Sequence, residues 1–332
     1  MRKINFFVFL LLLGLTLYGC SYLNREDASP APPPGDKPDD LQLRETVFYF
    51  PDQEWQVVIP VRLAIPWQEG IARATLGCMT EGQVPDEILA VGLAPLLPVG
   101  TEILGLTIRD GLARIDFNRA FLDYEVEHER LLISGLVYTL TEFTTVNQVE
   151  LLIEGKNPES LPGGTVTREP ITRRCGLNLE VSDLVDEMDD LDSVLLYFLH
   201  STGVETFFVP VTRIIPKMED KVQVVMDELL KGTATGSRLF SAIPGQIEGN
   251  VTLQGETAVI RLTDDITVAG GGQVAADQIR DQIALTMTEL TGIMEVQVLV
   301  SGGAPEFPAG VTFPDVFGRP KKWNEILPIS TH

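Results

Sequence analysis

The most regular hydrophobic pattern in the chain runs through residues 97–155. Apolar residues recur through Ile103, Leu104, Leu106 and Ile108, stop at Asp110-Gly111, and resume at Leu112, Ala113, Ile115 and Phe117. Asp-Gly between two such runs predicts a tight hairpin, because glycine tolerates the positive φ that a two-residue turn demands. Over 126–143, Leu132, Leu136, Val137, Leu140 and Phe143 fall at helical spacing and predict a helix with one apolar stripe; 149–155 follows as a strand. Upstream, 46–50 and 56–63 read as strands and 67–79 as a helix. Pro60 assigns the second run to a sheet edge or a bulge, since proline cannot donate to a ladder. The predicted order is β-β-α-β-β-α-β.

The pattern then repeats. Val209-Pro-Val-Thr-Arg-Ile-Ile-Pro216 repeats Ile59-Pro-Val-Arg-Leu-Ala-Ile-Pro66, with the arginine displaced by one position. A helix over 219–231 with Val222, Val225, Met226, Leu229 and Leu230 on one face matches 67–79. Ala258-Val-Ile-Arg-Leu262 matches Ala113-Arg-Ile-Asp-Phe117, Thr286-Met-Thr-Glu-Leu290 matches Thr139-Leu-Thr-Glu-Phe143, and 296–302 matches 149–155. Beyond the last strand of each copy, Leu161-Pro-Gly-Gly164, Arg173 and Asn178 recur as Phe307-Pro-Ala-Gly310, Arg319 and Asn324. These Pro-rich stretches read as appendages of their own domains, laid along a sheet edge.

Helices with a single apolar stripe must bury it on one face of a sheet. The expected fold class is therefore α+β: two tandem similar domains, each a small mostly antiparallel sheet with two helices on one face. The boundaries are 46–178 for the first domain with its appendage, 179–192 for an acidic linker, 193–324 for the second domain with its appendage, and 325–332 for a tail. The linker's Val181, Leu184, Val185 and Met188 allow a short helix, and its length of about fourteen residues allows the domains to pack together.

Composition changes the picture in two respects. The 332 residues carry 25 Lys and Arg against 47 Asp and Glu, a net charge of −22, which argues against the basic face that nucleic acid needs. At the start, Arg2-Lys3, an apolar run over 6–17 and Leu17-Tyr18-Gly19-Cys20 resemble the signal peptide and lipobox of bacterial lipoproteins, with Tyr18 in place of the usual small residue. That resemblance implies removal of 1–20, a membrane anchor through a lipidated Cys20 and an extracytoplasmic location. An uncleaved spanning helix is the other reading, but the run is shorter than the ~20 residues a span requires. Residues 21–45, rich in proline and acidic side chains, read as a tether.

No catalytic motif emerges. Ser134-Gly135 lacks the Gly-x-Ser-x-Gly elbow, His128-Glu129 has no second histidine, and no Gly-Lys-Ser/Thr follows Gly270-Gly271-Gly272. Cys78, Cys175 and the scattered His128, His200 and His332 form no ligand pattern, so neither metal nor cofactor is expected, and a Cys78–Cys175 disulfide is open. Glu142 and Glu289 occupy equivalent helix ends and read as structural. Arg62 and Arg213, beside the proline-bearing strands, either pair with internal acids, the favoured reading, or mark an edge that receives a partner strand.

The hairpin at Asp110-Gly111, Ala113-Arg-Ile-Asp-Phe-Asn118 and the Thr139-Leu-Thr-Glu-Phe143 helix end resemble the GerM domain; the resemblance spans both halves. In the second copy Gln254-Gly255-Glu256 replaces the Asp-Gly turn and Leu262-Thr263-Asp264 replaces Phe117-Asn118. The resemblance implies a topology similar to ring-building domains. It further implies a non-enzymatic sporulation and germination lipoprotein between mother-cell and forespore membranes, with protein partners in a channel-type complex. A peptidoglycan enzyme, or a modulator of one, is the alternative.

Overall fold

The computed structural model describes residues 42–186, 190–245, 247–267 and 271–327. Strand β1 (Leu43–Pro51) pairs antiparallel with β2 (Val58–Pro66), placing Tyr49 opposite Pro60. Helices α1 (Ile71–Gly77) and α2 (Asp86–Ala90) follow. The hairpin of β3 (Ile103–Arg109) and β4 (Gly111–Phe117) comes next, then α3 (Glu129–Thr141), which carries the chain to β5 (Val146–Ile153), parallel to β4. At the hairpin, Asp110 and Gly111 both take positive φ, 50° and 81°, the signature of a type I′ turn. The φ of Gly111 is what requires glycine; a Cβ there would also displace the exposed Asn147 side-chain amide.

After a short strand β6 (Glu180–Val181) the plan repeats. Strands β7 (Leu191–Ser201) and β8 (Thr206–Pro216) pair antiparallel, with Tyr197 opposite Pro210, and β6 lies parallel on the other side of β8. Helix α4 (Lys221–Lys231), the hairpin β9 (Gly249–Gln254) and β10 (Thr257–Leu262), helix α5 (Gly272–Met287) and β11 (Glu295–Val300), parallel to β10, complete the second half; β12 (Phe317–Gly318) edges β11. Here only Gly255, the first turn residue, has positive φ, the pattern of a type II′ turn. The fold class is α+β with two similar halves, as the repeat predicts.

The apolar stripes account for the packing. Phe48 and Phe50 of β1, Leu132, Leu136 and Leu140 of α3, and Phe198, Val209, Leu229 and Ile283 of the second half are all buried in one continuous core, and residues from Leu43 onward form one compact unit. Helix α3 lies close to β1 because Gly135 is at its centre: a Cβ there would lie 2.9 Å from Leu96 and 3.2 Å from the Tyr49 carbonyl. The Ser134-Gly135 pair is thus a helix-packing feature.

Several elements differ from the sequence expectation. The helix expected over 67–79 begins only at Ile71, after Gly70 in the left-handed region, and leaves Trp67 exposed. Residues 126–128 form a 3-10 turn leading into α3. Helix α2, five residues long, is too short for a periodic signal. In the stretch read as linker, Glu180 and Val181 form strand β6 in place of a helical turn, because β8 offers an unpaired edge there. Met188 lies outside the described residues, as do Cys20, the signal and tether segments apart from Gln42 to Glu45, and His332.

Candidate functional site: the seam between the halves

The two proline-bearing strands face one another. Pro60 and Pro210 each lack the N–H that a ladder rung needs, so β2 and β8 cannot zip together as neighbours. Two asparagine side chains fill the gap instead. Asn178 accepts the Val58 N–H at 2.8 Å and donates to the carbonyls of Val58 at 2.8 Å and Pro210 at 2.9 Å. Asn324 accepts the Phe208 N–H at 2.9 Å and donates to the carbonyls of Phe208 and Pro60, both at 2.7 Å. Each amide thus bonds one residue that offers both N–H and C=O and one proline that offers only C=O, which matches an amide's two donors. Both asparagines sit at positive φ, 49° and 51°, a region that Asn tolerates better than most residues.

The segments that carry these asparagines cross between the halves. Leu177 accepts the Thr212 N–H, Glu180 and Val181 pair with Arg213 and Ile214, and so the first half's appendage lines the second half's β8. Reciprocally, the Arg62 N–H donates to the Asn324 carbonyl and the Ile326 N–H to the Arg62 carbonyl, each at 2.8 Å, so the second appendage lines β2 of the first half. The expected placement of each appendage along its own domain's edge holds for Ile171, which bridges Val149 of β5, and for β12 on β11; the ends of the appendages at 177–178 and 323–324 instead cross to the other half. The prolines explain the difference: they leave β2 and β8 with unpaired carbonyls that only a chain passing between them can satisfy.

Arg62 and Arg213 stand beside these crossings, and neither faces an open edge. Arg213 is buried and held by Glu180 at 2.6 Å, by Glu228 at 3.0 Å and by the Gly232 carbonyl at 2.8 Å. Arg62 pairs with Glu45 at 2.9 Å and covers the Trp323 ring. Both arginines therefore have internal acidic partners, and the edge beside each is occupied by the chain's own backbone.

Each appendage is fastened to its own half by a repeated polar set. The hydroxyls of Thr139 and Thr286 accept the N–H groups of Tyr49 and Tyr197, capping the free sides of β1 and β7. Tyr49 O–H donates to Glu142, and Arg173 reaches both Glu142 and Thr141. In the second half Tyr197 O–H donates to Glu289 at 2.8 Å, while Arg319 pairs with Glu289 at 2.7 Å and donates to Thr288. The repeated Thr-x-Thr-Glu motif thus supplies a strand cap and an arginine cradle. Burial, aided by the neighbouring Glu289, pushes the Tyr197 hydroxyl well above its ordinary pKa, and Tyr49 is raised in the same way beside Glu142. Glu142 and Glu289 each hold a tyrosine and an arginine through Oε1. Tyr49 and Tyr197 were not singled out from sequence, although each directly precedes a buried Phe in a paired strand.

A second polar contact bridges the seam at its far end. Asp52 and His200, both buried, approach to 3.5 Å, and Asp52 also accepts the N–H groups of Gln56 and Val57. Burial raises the Asp52 carboxyl, but the hydrogen bonds from His200 and the two amides outweigh it and hold the pKa below its ordinary value. Thr202 Oγ1 donates to the Val91 carbonyl at 2.6 Å beside them. Between this contact and Asn178 lies an open cleft of about 420 Å³ lined by Arg130, Asn178, Leu179 and Arg238. Among the described residues no group of three or more His, Cys, Asp and Glu is arranged to hold a metal, and Cys78 and Cys175 are free thiols. His128 stacks on Trp55.

Comparison with known proteins agrees with the internal repeat. A family model described as Germane, sporulation and spore germination, matches residues 47–159 and again 195–306. The spore germination protein GerM of Bacillus subtilis is 28% identical over 266 residues, covering 77% of this chain and 71% of that protein. The solved tandem GerMN domains of the sporulation protein GerM from Bacillus subtilis superpose with a TM-score of 0.70 at 23% identity, covering 86% of this chain and all of that one.

Proposed function

The chain belongs to the Germane family of sporulation and spore germination, and from that premise we propose that it is a lipid-anchored, non-catalytic assembly protein of the endospore. In this reading Cys20 carries the lipid, the tether holds the folded part off the membrane up to Leu43, where β1 begins, and the tandem domains organise a protein complex between mother cell and forespore. The observation that carries it is the seam. Its two asparagine amides recur in both halves and each is bonded to backbone on both sides, and a Tyr–Glu–Arg set recurs beside each, which is how a rigid binding body is built. Glu142 and Glu289, the acids that recur at equivalent helix ends, each use Oε1 to hold a tyrosine and an arginine of the fold, a structural use of the carboxylate.

The test is made in sporulating cells. A Cys20→Ala chain is expected to leave the membrane fraction and to lower the yield of heat-resistant, germination-competent spores, and the wild-type chain is expected to co-purify protein partners. Purified protein incubated with peptidoglycan is expected to release no muropeptides. Release that survives repurification would replace the assembly reading with a cell-wall enzyme.

A further inference from the structure

Residues 323–326 sit between β2 and β8 as a ligand sits in a groove. Their backbone exchanges two hydrogen bonds with Arg62, and the Asn324 amide joins Pro60 to Phe208. Ile326 is 6% exposed and enters the core. Trp323 lies edge-on to Tyr197 and beneath the guanidinium groups of Arg62 and Arg319. The groove thereby selects an aromatic residue, then an asparagine, then an aliphatic residue two positions further on. The asparagine is the discriminating element. Because Pro60 offers a carbonyl and no N–H, a side chain with two donors fits where an ordinary strand leaves groups unpaired.

The counterpart crossing at 177–181 also presents an apolar residue followed by asparagine, but it runs directly into β6. Segment 323–326 follows β12, the last strand of the second half, so lifting it unravels no sheet. When it lifts, the Arg62 N–H and C=O and the Pro60 carbonyl become an open edge, the kind of surface to which extended peptides add.

We propose that this edge of β2, from Pro60 to Arg62, is a strand-docking site for an extended segment of another protein carrying the aromatic–Asn–x–aliphatic pattern, and that 323–326 fills it in cis as the resident competitor. A tethered segment acts at an effective concentration on the order of millimolar, so the free protein keeps the site closed and only a tighter-binding segment displaces it. The inference rests on the assembly reading only for the partner's role. Its test uses a peptide, so a failure here leaves the sporulation role standing.

A labelled peptide of residues 319–327 is titrated into the full chain and into the full chain carrying Asn324→Ala and Ile326→Ser. The expected result is saturable binding to the variant at least tenfold tighter than to the wild type, and at least a tenfold loss when the peptide's own asparagine is replaced by alanine. A folded variant that binds neither peptide, or both alike, overturns the proposal. Hydrogen exchange on the unaltered chain gives an independent reading that does not depend on the variant folding. The Arg62 and Ile326 amides are expected to exchange faster than the β1–β2 ladder amides, and exchange at the ladder's own rate means that the segment does not lift by itself. Cross-linking through Arg62→Cys and Glu325→Cys in a mixture of two differently sized chains tests a second copy as the occupant. A cross-link predominantly between chains would remove the foreign partner from the proposal.

Discussion

Replacing Asn324 by glycine isolates the contribution of a side-chain amide that stands in for a missing ladder rung. The substitution removes three hydrogen bonds, from the Phe208 N–H and to the Phe208 and Pro60 carbonyls, while leaving the backbone free to keep φ near 51°. At about 1 kcal/mol net for each bond, the ceiling is about 3 kcal/mol. The site is partly buried, so water replaces some of what is lost, and about 2 kcal/mol is the expected cost. Asn324→Ala adds the strain of an alanine in the left-handed region, about 1 kcal/mol more. Because the halves share one core, urea unfolding of the wild type is expected to be a single transition, with the glycine variant's midpoint lowered at unchanged slope. In a thermal scan about 2 kcal/mol corresponds to a drop of roughly 3–4 °C for a unit of this size. Asn178→Gly, whose bonds mirror these, is expected to behave alike. A loss below about 0.5 kcal/mol in both glycine variants would show that the seam holds without its amides.

Arg319→Ala removes the ion pair with Glu289 and the ring contacts with Tyr197 and Trp323; with a third of its side chain exposed, about 1–2 kcal/mol of stability is expected to go, and Arg319→Lys should recover only part of it in urea titrations. Glu129, buried and held by hydrogen bonds from Thr165, Tyr124 and Gly163, has its carboxyl below the ordinary range although burial alone would raise it, and Asp52 behaves likewise. A folded pKa below the unfolded value contributes stability that is fully present above about pH 4.5 and lost as pH falls through the lower folded value. Glu129→Gln is therefore expected to flatten stability measured from pH 5 to 3, and an unaltered slope would exclude Glu129 as a source. Burial pushes the Cys175 thiol up to about 11 and raises Cys78 as well. Both are expected to react slowly with a thiol reagent at pH 8 in the folded protein and fully in 6 M guanidinium chloride; rapid native reaction would contradict the burial.

How much of this was written in the chain can be judged from particular residues. The Asp110-Gly111 hairpin, the stripe of α3 and the duplication were legible because each rests on neighbours within a turn or two, where φ preferences and side-chain periodicity act directly. Pro60 and Pro210 correctly announced strands with an incomplete edge, since a missing N–H is a local fact. The recurrence of Asn178 and Asn324 and of the Thr-x-Thr-Glu ends was visible too, but their purpose was not. Asn178 meets Val58 across 120 residues and Asn324 meets Pro60 across 264, and no local preference encodes a partner that far away. The same holds for Arg62 and Arg213: sequence placed them beside an edge, and only packing decided that the edge belongs to the chain's own crossing segments. Local chemistry therefore fixed which groups were left unsatisfied, and the tertiary structure chose what satisfies them, because a hydrogen bond is selected by what the folded chain brings within 3 Å of it.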